Sequence, residues 1–247
     1  MGRITNAVKH LLIINVLFFI GAQLYGDVLY QLFSLWFPKN GNFHLWQIIS
    51  HMFMHGSFMH IFFNMYALWA FGSPLEHMWG RNKFLFFYFS AGLGAALLHT
   101  LVNYYYFNEG FQALIGAGID ENQIYSLLNA GQYDSSWYQI ASKSTIDNFL
   151  SSYISPAVGA SGAIYGILVA FGMLYPNAEL FLIFVPIPIK AKYFIPILIA
   201  LDLFSGVTGY SIFGSGIAHF AHVGGALFGF IMMWYWKRNQ FNKNRWD

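Results

Sequence analysis

SPAVGASGAIYGILVAFGMLY, residues 155–175, is an apolar stretch long enough to cross a lipid bilayer, yet it carries a serine near its start. This serine, Ser161, lies in the run GASG, residues 159–162. Polar groups inside a membrane are costly, and those that occur there are commonly functional. The remainder of the chain decides whether the run lies in a membrane and which residues could join the serine.

The composition indicates lipid as the solvent of this chain. Its 247 residues are 57% hydrophobic and 9% charged, against about 25% charged residues in an ordinary soluble domain. Runs without Asp, Glu, Lys or Arg reach or approach the roughly 20 residues that a membrane span needs. These uncharged runs are residues 10–26, 40–75, 84–108, 148–178 and 203–236.

Six membrane-spanning helices are predicted within these runs. The first follows the basic start MGRITNAVKH without a small-residue cleavage site, so we expect a retained anchor instead of a cleaved signal peptide. We therefore predict an all-α polytopic membrane protein with a single domain over residues 1–247. The predicted spans are about 10–26, 57–75, 84–103, 157–175, 193–213 and 217–236.

The positive charges predict the orientation of the six helices. Cytoplasmic flanks of membrane helices carry the excess of Lys and Arg. If both termini are cytoplasmic, ten of the 12 Lys and Arg residues lie on the inner side, and only Lys39 and Lys143 lie outside. The inner set is Arg3, Lys9, Arg81, Lys83, Lys190, Lys192, Lys237, Arg238, Lys243 and Arg245.

Three outer segments differ in character. Residues 27–56 are aromatic and almost uncharged, which suggests a segment half-buried at the membrane surface. Residues 104–156 are rich in acidic and polar residues and are expected to be a solvated insertion, with a docking surface as the alternative. The glycine-rich linker 205–217, which contains Phe213, is short and suited to act as a lid.

The sequence argues against several other classes of site. There is no cysteine, which excludes thiolate catalysis and Cys-ligated metals, and no phosphate loop or basic recognition helix suggests a nucleic-acid partner. His51 and His55 have a spacing that can bind zinc, but the glutamate of HExxH hydrolases is missing. We expect them to form structural hydrogen bonds, and we expect neither a metal nor another cofactor. The sequence gives no indication of the oligomeric state.

Unusual polar side chains are predicted at one depth on three helices that run in the same direction. They are Ser161, the pair His60 and Asn64, and the pair His219 and His222. In the predicted topology all of them lie near the outer ends of their helices, where water can reach them. Three helices distant in sequence are thus expected to bring these groups together.

This set of side chains is suited to nucleophilic acyl transfer. A serine hydroxyl becomes a strong nucleophile when a neutral histidine takes its proton. The tetrahedral intermediate needs hydrogen-bond donors, which the Ser161 backbone N–H, Asn64 and a neutral His60 could supply. His60 and Asn64 are four residues apart and share a helix face. His222 is the predicted base, with His219 as the alternative.

Glycines favour a close approach of the serine and histidine helices. Gly162 and Gly166 on one helix, and Gly225 and Gly229 on the other, form small-xxx-small patterns that allow tight packing in lipid. His222 lies on the same stripe as Gly225 and Gly229. This spacing favours His222 over the histidine one turn earlier.

Two further side chains bear on the predicted base. Tyr165, four residues after Ser161, can pack under the imidazole of His222 and hold its orientation, where no acidic third member is evident. Asp202 is the carboxylate inside a predicted span. Counted from the inner end it lies near mid-membrane, deeper than Ser161. A structural hydrogen bond or a polar substrate path is therefore favoured over a third triad member.

The chain resembles the rhomboid intramembrane serine proteases. The likeness covers most of residues 40–103 and 155–236, and its specificity lies in the joint occurrence of several motifs. They are Gly159-x-Ser161-Gly162 with Tyr165, His60-x-x-x-Asn64, Ala221-His222 with Gly225 and Gly229, and also Trp46, His51, His55, Glu76 and Gly80. Many members have Trp-Arg where this chain has Trp46-Gln47, and the connection between the third and fourth helices is unusually long.

The resemblance implies a six-helix bundle with a Ser161–His222 dyad and an oxyanion hole around His60 and Asn64. It implies an intramembrane serine endopeptidase whose partners are the lipid bilayer and the transmembrane segments of other proteins, cut near the outer face. Similarity to bacterial members implies the bacterial cytoplasmic membrane. Two alternatives are a non-catalytic relative that binds transmembrane helices and a channel or transporter.

Overall fold

The computed structural model describes residues 3–182, 185–210 and 218–243. The lid expected at 205–217, including Phe213, lies largely outside these residues. The described helices are α1 (Asn6–Tyr25), α2 (Asp27–Phe33), α3 (Gln47–Ser50), α4 (Phe58–Ala67), α5 (Ser73–Trp79), α6 (Arg81–Gly116), α7 (Glu121–Asn129), α8 (Trp137–Ile140), α9 (Lys143–Ile154), α10 (Ser161–Leu174), α11 (Ala191–Thr208) and α12 (His219–Lys243). A 3-10 turn, His51–Phe53, follows α3, and a π-helical turn, Leu68–Gly72, joins α4 to α5.

Helices occupy all six positions at which membrane spans are predicted. Of the described helices, α1, α6 and α11 have the length and hydropathy needed to cross a membrane. The helix α10 is apolar but has 14 residues. The mainly helical fold and the presence of apolar helices are therefore confirmed, while the number of six spans and the placement of the termini stay predictions.

The boundaries of two helices differ from the prediction for local reasons. The fourth predicted span begins at Ser161 instead of 157, because Gly159 has φ of 124° and lies outside helical conformation. The third continues to Gly116 instead of ending near 103. Its extension is helical because it packs against the outer insertion, which supplies apolar partners that the local sequence does not reveal.

The outer insertion forms a second apolar cluster. Its helices α7, α8 and α9 pack on the extension of α6, and Phe37 from the first outer segment joins them. The buried members of this cluster are Phe37, Phe107, Phe111, Leu114, Ile124, Leu128, Trp137, Ile146, Phe149, Leu150 and Tyr153. The expected solvated insertion is therefore an ordered helical unit with an apolar interior.

A two-stranded hairpin corrects the all-helical prediction. The strands β1 (Glu179–Leu182) and β2 (Val185–Lys190) are antiparallel, with Glu179 opposite Lys190. The prolines of VPIPIK cannot continue a helix, and in a two-stranded hairpin they are tolerated because each strand is an edge.

Glu76 anchors the start of α1. Its carboxylate accepts hydrogen bonds from the backbone N–H groups of Ala7 and Val8, at 2.7 and 2.9 Å, and from the hydroxyl of Thr5. These N–H groups belong to the first helical turn and lack partners within the helix. Glu76 therefore caps a helix far away in sequence, and its charge is favourable beside the positive end of the helix dipole.

The helices α10 and α12 touch through their backbones. A Cβ atom placed on Gly225 would lie 1.8 Å from the carbonyl oxygen of Gly162, and one placed on Gly229 would lie 2.6 Å from the Cα of Gly166. Only glycine fits such a contact. The two glycine patterns therefore face each other and bring Ser161, at the start of α10, close to the first turns of α12.

Because the backbones touch, adding one methyl group at Gly225 should lower the stability of the protein. We expect Gly225→Ala to separate α10 from α12 and to destabilise the protein by about 1–3 kcal/mol, as overpacking does. The measurement is the free energy of unfolding from denaturing-detergent titration in mixed micelles.

Gly116→Ala is the matched control. Gly116 ends α6, and nothing lies within 4 Å of a Cβ placed there. Its effect should stay within about 1 kcal/mol and can be stabilising, since alanine favours the helix. Equal unfolding free energies for the two alanine variants would contradict the backbone contact.

Candidate active site

Ser161 is the first residue of α10 and follows a turn that requires glycine. Gly159 has φ of 124°, and a Cβ atom there would lie 2.8 Å from Nε2 of His60. The Gly159 N–H donates to the carbonyl of His51 at 2.9 Å, which fixes the turn. The N–H of Ser161 has no acceptor within the helix, because the first four N–H groups of a helix are unpaired there. The chain thus presents a hydroxyl and a free N–H at one helix terminus.

The imidazole of His222 contacts the hydroxyl of Ser161. Its Nε2 lies 2.8 Å from Ser161 Oγ, which is a hydrogen-bond distance. Sequence analysis left His219 as the alternative base. His219 Nδ1 lies 2.6 Å from Oδ1 of Asp202. The 2.8 Å contact with Ser161 places His222 for proton transfer from the hydroxyl.

Tyr165 stacks on the His222 imidazole. The ring centroids are 4.2 Å apart and the planes differ by 11°. Tyr165 follows Ser161 by one helical turn, so α10 supplies both the hydroxyl and the surface against which the imidazole rests. The structure thus brings Ser161, Tyr165 and His222 into contact with one another.

Asp202 lies in contact with this group, contrary to the depth estimated from the sequence. Its Oδ1 is 3.1 Å from Nδ1 of His222, and its Oδ2 accepts a hydrogen bond from the Tyr165 hydroxyl. The estimate failed because α11 ends at Thr208 and not at 213, which brings Asp202 closer to the outer end of its helix. Asp202 is 1% exposed.

His60 and Asn64 lie on α4 beside the serine turn. The His60 imidazole faces Gly159, as the 2.8 Å approach to a Cβ there shows, and the same Cβ would lie 3.5 Å from Ser161 Oγ. Asn64, one turn further along α4, is buried, and its side-chain amide forms no hydrogen bond with any described residue. The His60 imidazole therefore lies next to the serine turn, and the Asn64 amide has donors that no described residue uses.

The first outer segment is held by buried polar side chains. Gln47 donates to the carbonyls of Gln31 and Asn42 and accepts from the N–H of His44, so a neutral amide fills the position where many members have arginine. The His51 Nδ1 donates to the carbonyl of Gln47 at 2.8 Å. Burial lowers the pKa of His51 to about 4, so this imidazole is uncharged at neutral pH.

His55 also has a structural environment. Its Nδ1 is 3.3 Å from the carbonyl of Phe53, and its ring meets that of His60 edge to face, with centroids 4.9 Å apart. Burial lowers its pKa to about 3. These contacts favour the expected hydrogen-bonding role of the two outer histidines.

A small cavity of about 20 Å³ adjoins Ser161. Its wall includes His51 and His99, together with small residues of α6 and α10. His99 lies on α6 and accepts a hydrogen bond from the Asn103 amide at 3.1 Å. His99 is not among the site residues predicted above, although a histidine in the apolar run ALLHTL is unusual.

One group of side chains within the described ranges has the donor set of a cation site. Ligand atoms of Asp202, His219 and His222 lie within 4.8 Å of one another. The two Nδ1 atoms lie at hydrogen-bond distance from the same carboxylate oxygen, and Nε2 of His222 is directed at Ser161. Asp202, His219, His222 and Ser161 are therefore arranged to hydrogen-bond directly to one another.

This chain matches a known domain family, and it is similar in sequence to several known proteins. A family model described as the rhomboid domain matches residues 42–239. The chain is 26% identical over 188 residues to Rhomboid protein 1, mitochondrial, of Saccharomyces cerevisiae. The aligned residues are 76% of this chain and 41% of that protein. It is 30% identical over 184 residues to Presenilin-associated rhomboid-like protein A, mitochondrial, of Danio rerio, covering 74% and 34%.

A bacterial relative extends the match. The chain is 28% identical over 220 residues to Rhomboid protease AarA of Providencia stuartii, covering 85% of this chain and 59% of that protein. The chain thus spans roughly a third to three fifths of the length of these relatives. Because the rhomboid domain covers most of the sequence and apolar helices run through it, the chain belongs to the rhomboid family and is an integral membrane protein.

Proposed function

We propose that this protein is an intramembrane serine endopeptidase that cuts transmembrane segments of other membrane proteins. The observation that carries the proposal is the 2.8 Å contact between Ser161 Oγ and His222 Nε2 at the start of α10. A serine and a histidine at this distance can act as a nucleophile and its base. Membership of a family that includes a named protease supports the same chemistry.

The proposed reaction uses Ser161 as the nucleophile and His222 as the base and then the acid. Nε2 accepts the hydroxyl proton while Oγ bonds to the substrate carbonyl carbon. The C–N bond then breaks, and the proton passes from Nε2 to the leaving amine. Water attacks the acyl-serine, giving one proton to His222. That proton returns to Oγ as the carboxylic acid leaves.

The oxyanion formed in this reaction needs donors that exist before the substrate arrives. The Ser161 N–H is unpaired within α10, the His60 imidazole lies beside Gly159, and the Asn64 amide lies one turn further along α4. Donors fixed in a site of low polarity stabilise a developing charge better than water, which must reorganise. We assign these three groups to the oxyanion hole.

The distribution of Lys and Arg indicates the side of the membrane to which Ser161 opens. In the predicted six-span topology the Lys- and Arg-rich face is cytoplasmic, so Ser161 opens to the outer side. We propose the cytoplasmic membrane of a bacterium as the location and transmembrane proteins as the partners. A non-catalytic relative and a channel or transporter are the alternatives, and the contact between Ser161 and His222 favours the enzyme over both.

Ser161→Ala and His222→Ala should each abolish cleavage of a model transmembrane substrate, because they remove the nucleophile and the base. Their effects should be non-additive, since the two residues act as one unit. A fluorophosphonate probe should modify Ser161 of the detergent-solubilised wild type, as mapped by peptide mass, and labelling should be lost in His222→Ala.

Controls for these variants are Ser135→Ala and His77→Ala, which change exposed residues of the same types. Both should cut and label like the wild type. A wild type that neither cuts nor labels would favour a non-catalytic function. Full labelling of His222→Ala together with an inactive His219→Ala would transfer the role of base to His219.

His60→Ala and Asn64→Ala should lower kcat by roughly ten- to a thousand-fold, the range expected from losing one oxyanion donor. KM should change little, because these donors act on the charge formed during the reaction. Met59→Ala is the matched control, since Met59 is exposed on the same turn of α4 as His60. An increase of KM at constant kcat would instead make the two residues substrate-binding groups.

Substrates with helix-weakening residues near the outer membrane face should be cut best. A helical peptide bond is shielded by its own hydrogen bonds, and glycine lowers helix stability by about 1 kcal/mol relative to alanine. The measurement is the cleavage rate and the cut position in a substrate helix scanned with single glycines. Cleavage near the inner face would contradict the proposed topology.

A further inference from the structure

We infer that Asp202 is the positioning residue of His222, which gives this chain a Ser161–His222–Asp202 relay in place of a two-residue site. This inference rests on the proposed function. Asp202 Oδ1 lies 3.1 Å from Nδ1 of His222, and the other ring nitrogen lies 2.8 Å from Ser161 Oγ. The three side chains come from α11, α12 and α10, and they form one continuous hydrogen-bonded line.

The carboxylate selects the tautomer that the reaction needs. A carboxylate oxygen can only accept, so Nδ1 of His222 must carry the proton in this contact. Nε2 is then unprotonated in the neutral imidazole and can take the proton of Ser161. Without an acceptor at Nδ1, the proton could occupy either nitrogen, and the fraction of competent enzyme would fall.

The carboxylate is itself held on both oxygens. The Tyr165 hydroxyl donates to Oδ2, and His219 Nδ1 lies 2.6 Å from Oδ1. A buried carboxylate is costly unless several donors satisfy it. Tyr165 also stacks on the imidazole of His222, so one side chain fixes both the ring and the group that orients it. Asp202 cannot rotate away without breaking these contacts.

The carboxylate also provides charge where the reaction creates it. His222 becomes positive when it accepts the serine proton, and a nearby negative charge stabilises that cation. The titratable groups around His222 are His219 on its own helix, Asp202 on α11, Tyr165 and Ser161 on α10, His60 on α4 and His99 on α6. Among these described groups, Asp202 alone carries a carboxyl group.

The test compares Asp202→Asn with the wild type, because asparagine keeps the shape and removes the charge. An amide can donate to Nδ1 and so favours the wrong tautomer. We expect kcat for a transmembrane substrate to fall on the order of 10²- to 10⁴-fold with KM nearly unchanged. The rate of fluorophosphonate labelling at Ser161 should fall with kcat.

A spectroscopic measurement separates orientation from a merely structural role. In protein with ¹⁵N-labelled histidine, the signal of His222, assigned by comparison with His222→Ala, should show the proton on Nδ1. In Asp202→Asn it should move toward the tautomer with the proton on Nε2. If Asp202→Asn does not fold, the wild-type spectrum alone decides, since a wild-type proton on Nε2 would overturn the inference.

Ser205→Ala is the control for packing of α11. Ser205 is buried one turn from Asp202, and its hydroxyl has no hydrogen-bond partner among the described residues. It should retain wild-type kcat and the wild-type His222 signal. A labelled and active wild type with an equally fast Asp202→Asn would overturn the role of Asp202 only. Failure of the wild type to label or cut would overturn the proposed function itself.

Discussion

The backbone contact between α10 and α12 is the constraint on which the remainder of the site depends. In lipid, helices gain little from the hydrophobic effect when they associate, so close packing and hydrogen bonds must hold them together. Gly162 and Gly225 remove the side chains that would separate the two helices. That approach allows a short hydroxyl on one helix to reach an imidazole on the other, which a pair of ordinary side chains in the seam would prevent.

The polar groups of the site form one connected set within an apolar bundle. Asp202 joins α11 to both other helices through Tyr165, His219 and His222. Each hydrogen bond in this set satisfies a group whose isolation in the membrane would be costly. The same bonds that offset burial also fix the direction of the imidazole, so stability and chemical orientation arise from the same contacts. Loss of one of these hydrogen bonds is therefore expected to affect both the stability of the bundle and the orientation of His222.

The sequence by itself determined the apolar helices, their order and the residues able to carry acyl-transfer chemistry. Those features are local, because the length of an uncharged run and the spacing of glycines along one helix can be read from neighbouring residues. The presence of helices at the six expected positions and the membership of the rhomboid family are confirmed. The sequence also predicts that His222, Gly225 and Gly229 lie on one face of a single helix, because their spacing follows the helical repeat.

Only the tertiary structure decided the partners of Asp202, the order within the outer insertion and the start of α10. The depth of Asp202 depended on where α11 ends, and an apolar sequence does not mark that point to within a turn. The helical extension to Gly116 depends on partners from α9 and on Phe37, which are distant in sequence. Contacts between remote segments carry no local signal, so the third side chain of the His222 environment could be recognised only after the helices were assembled.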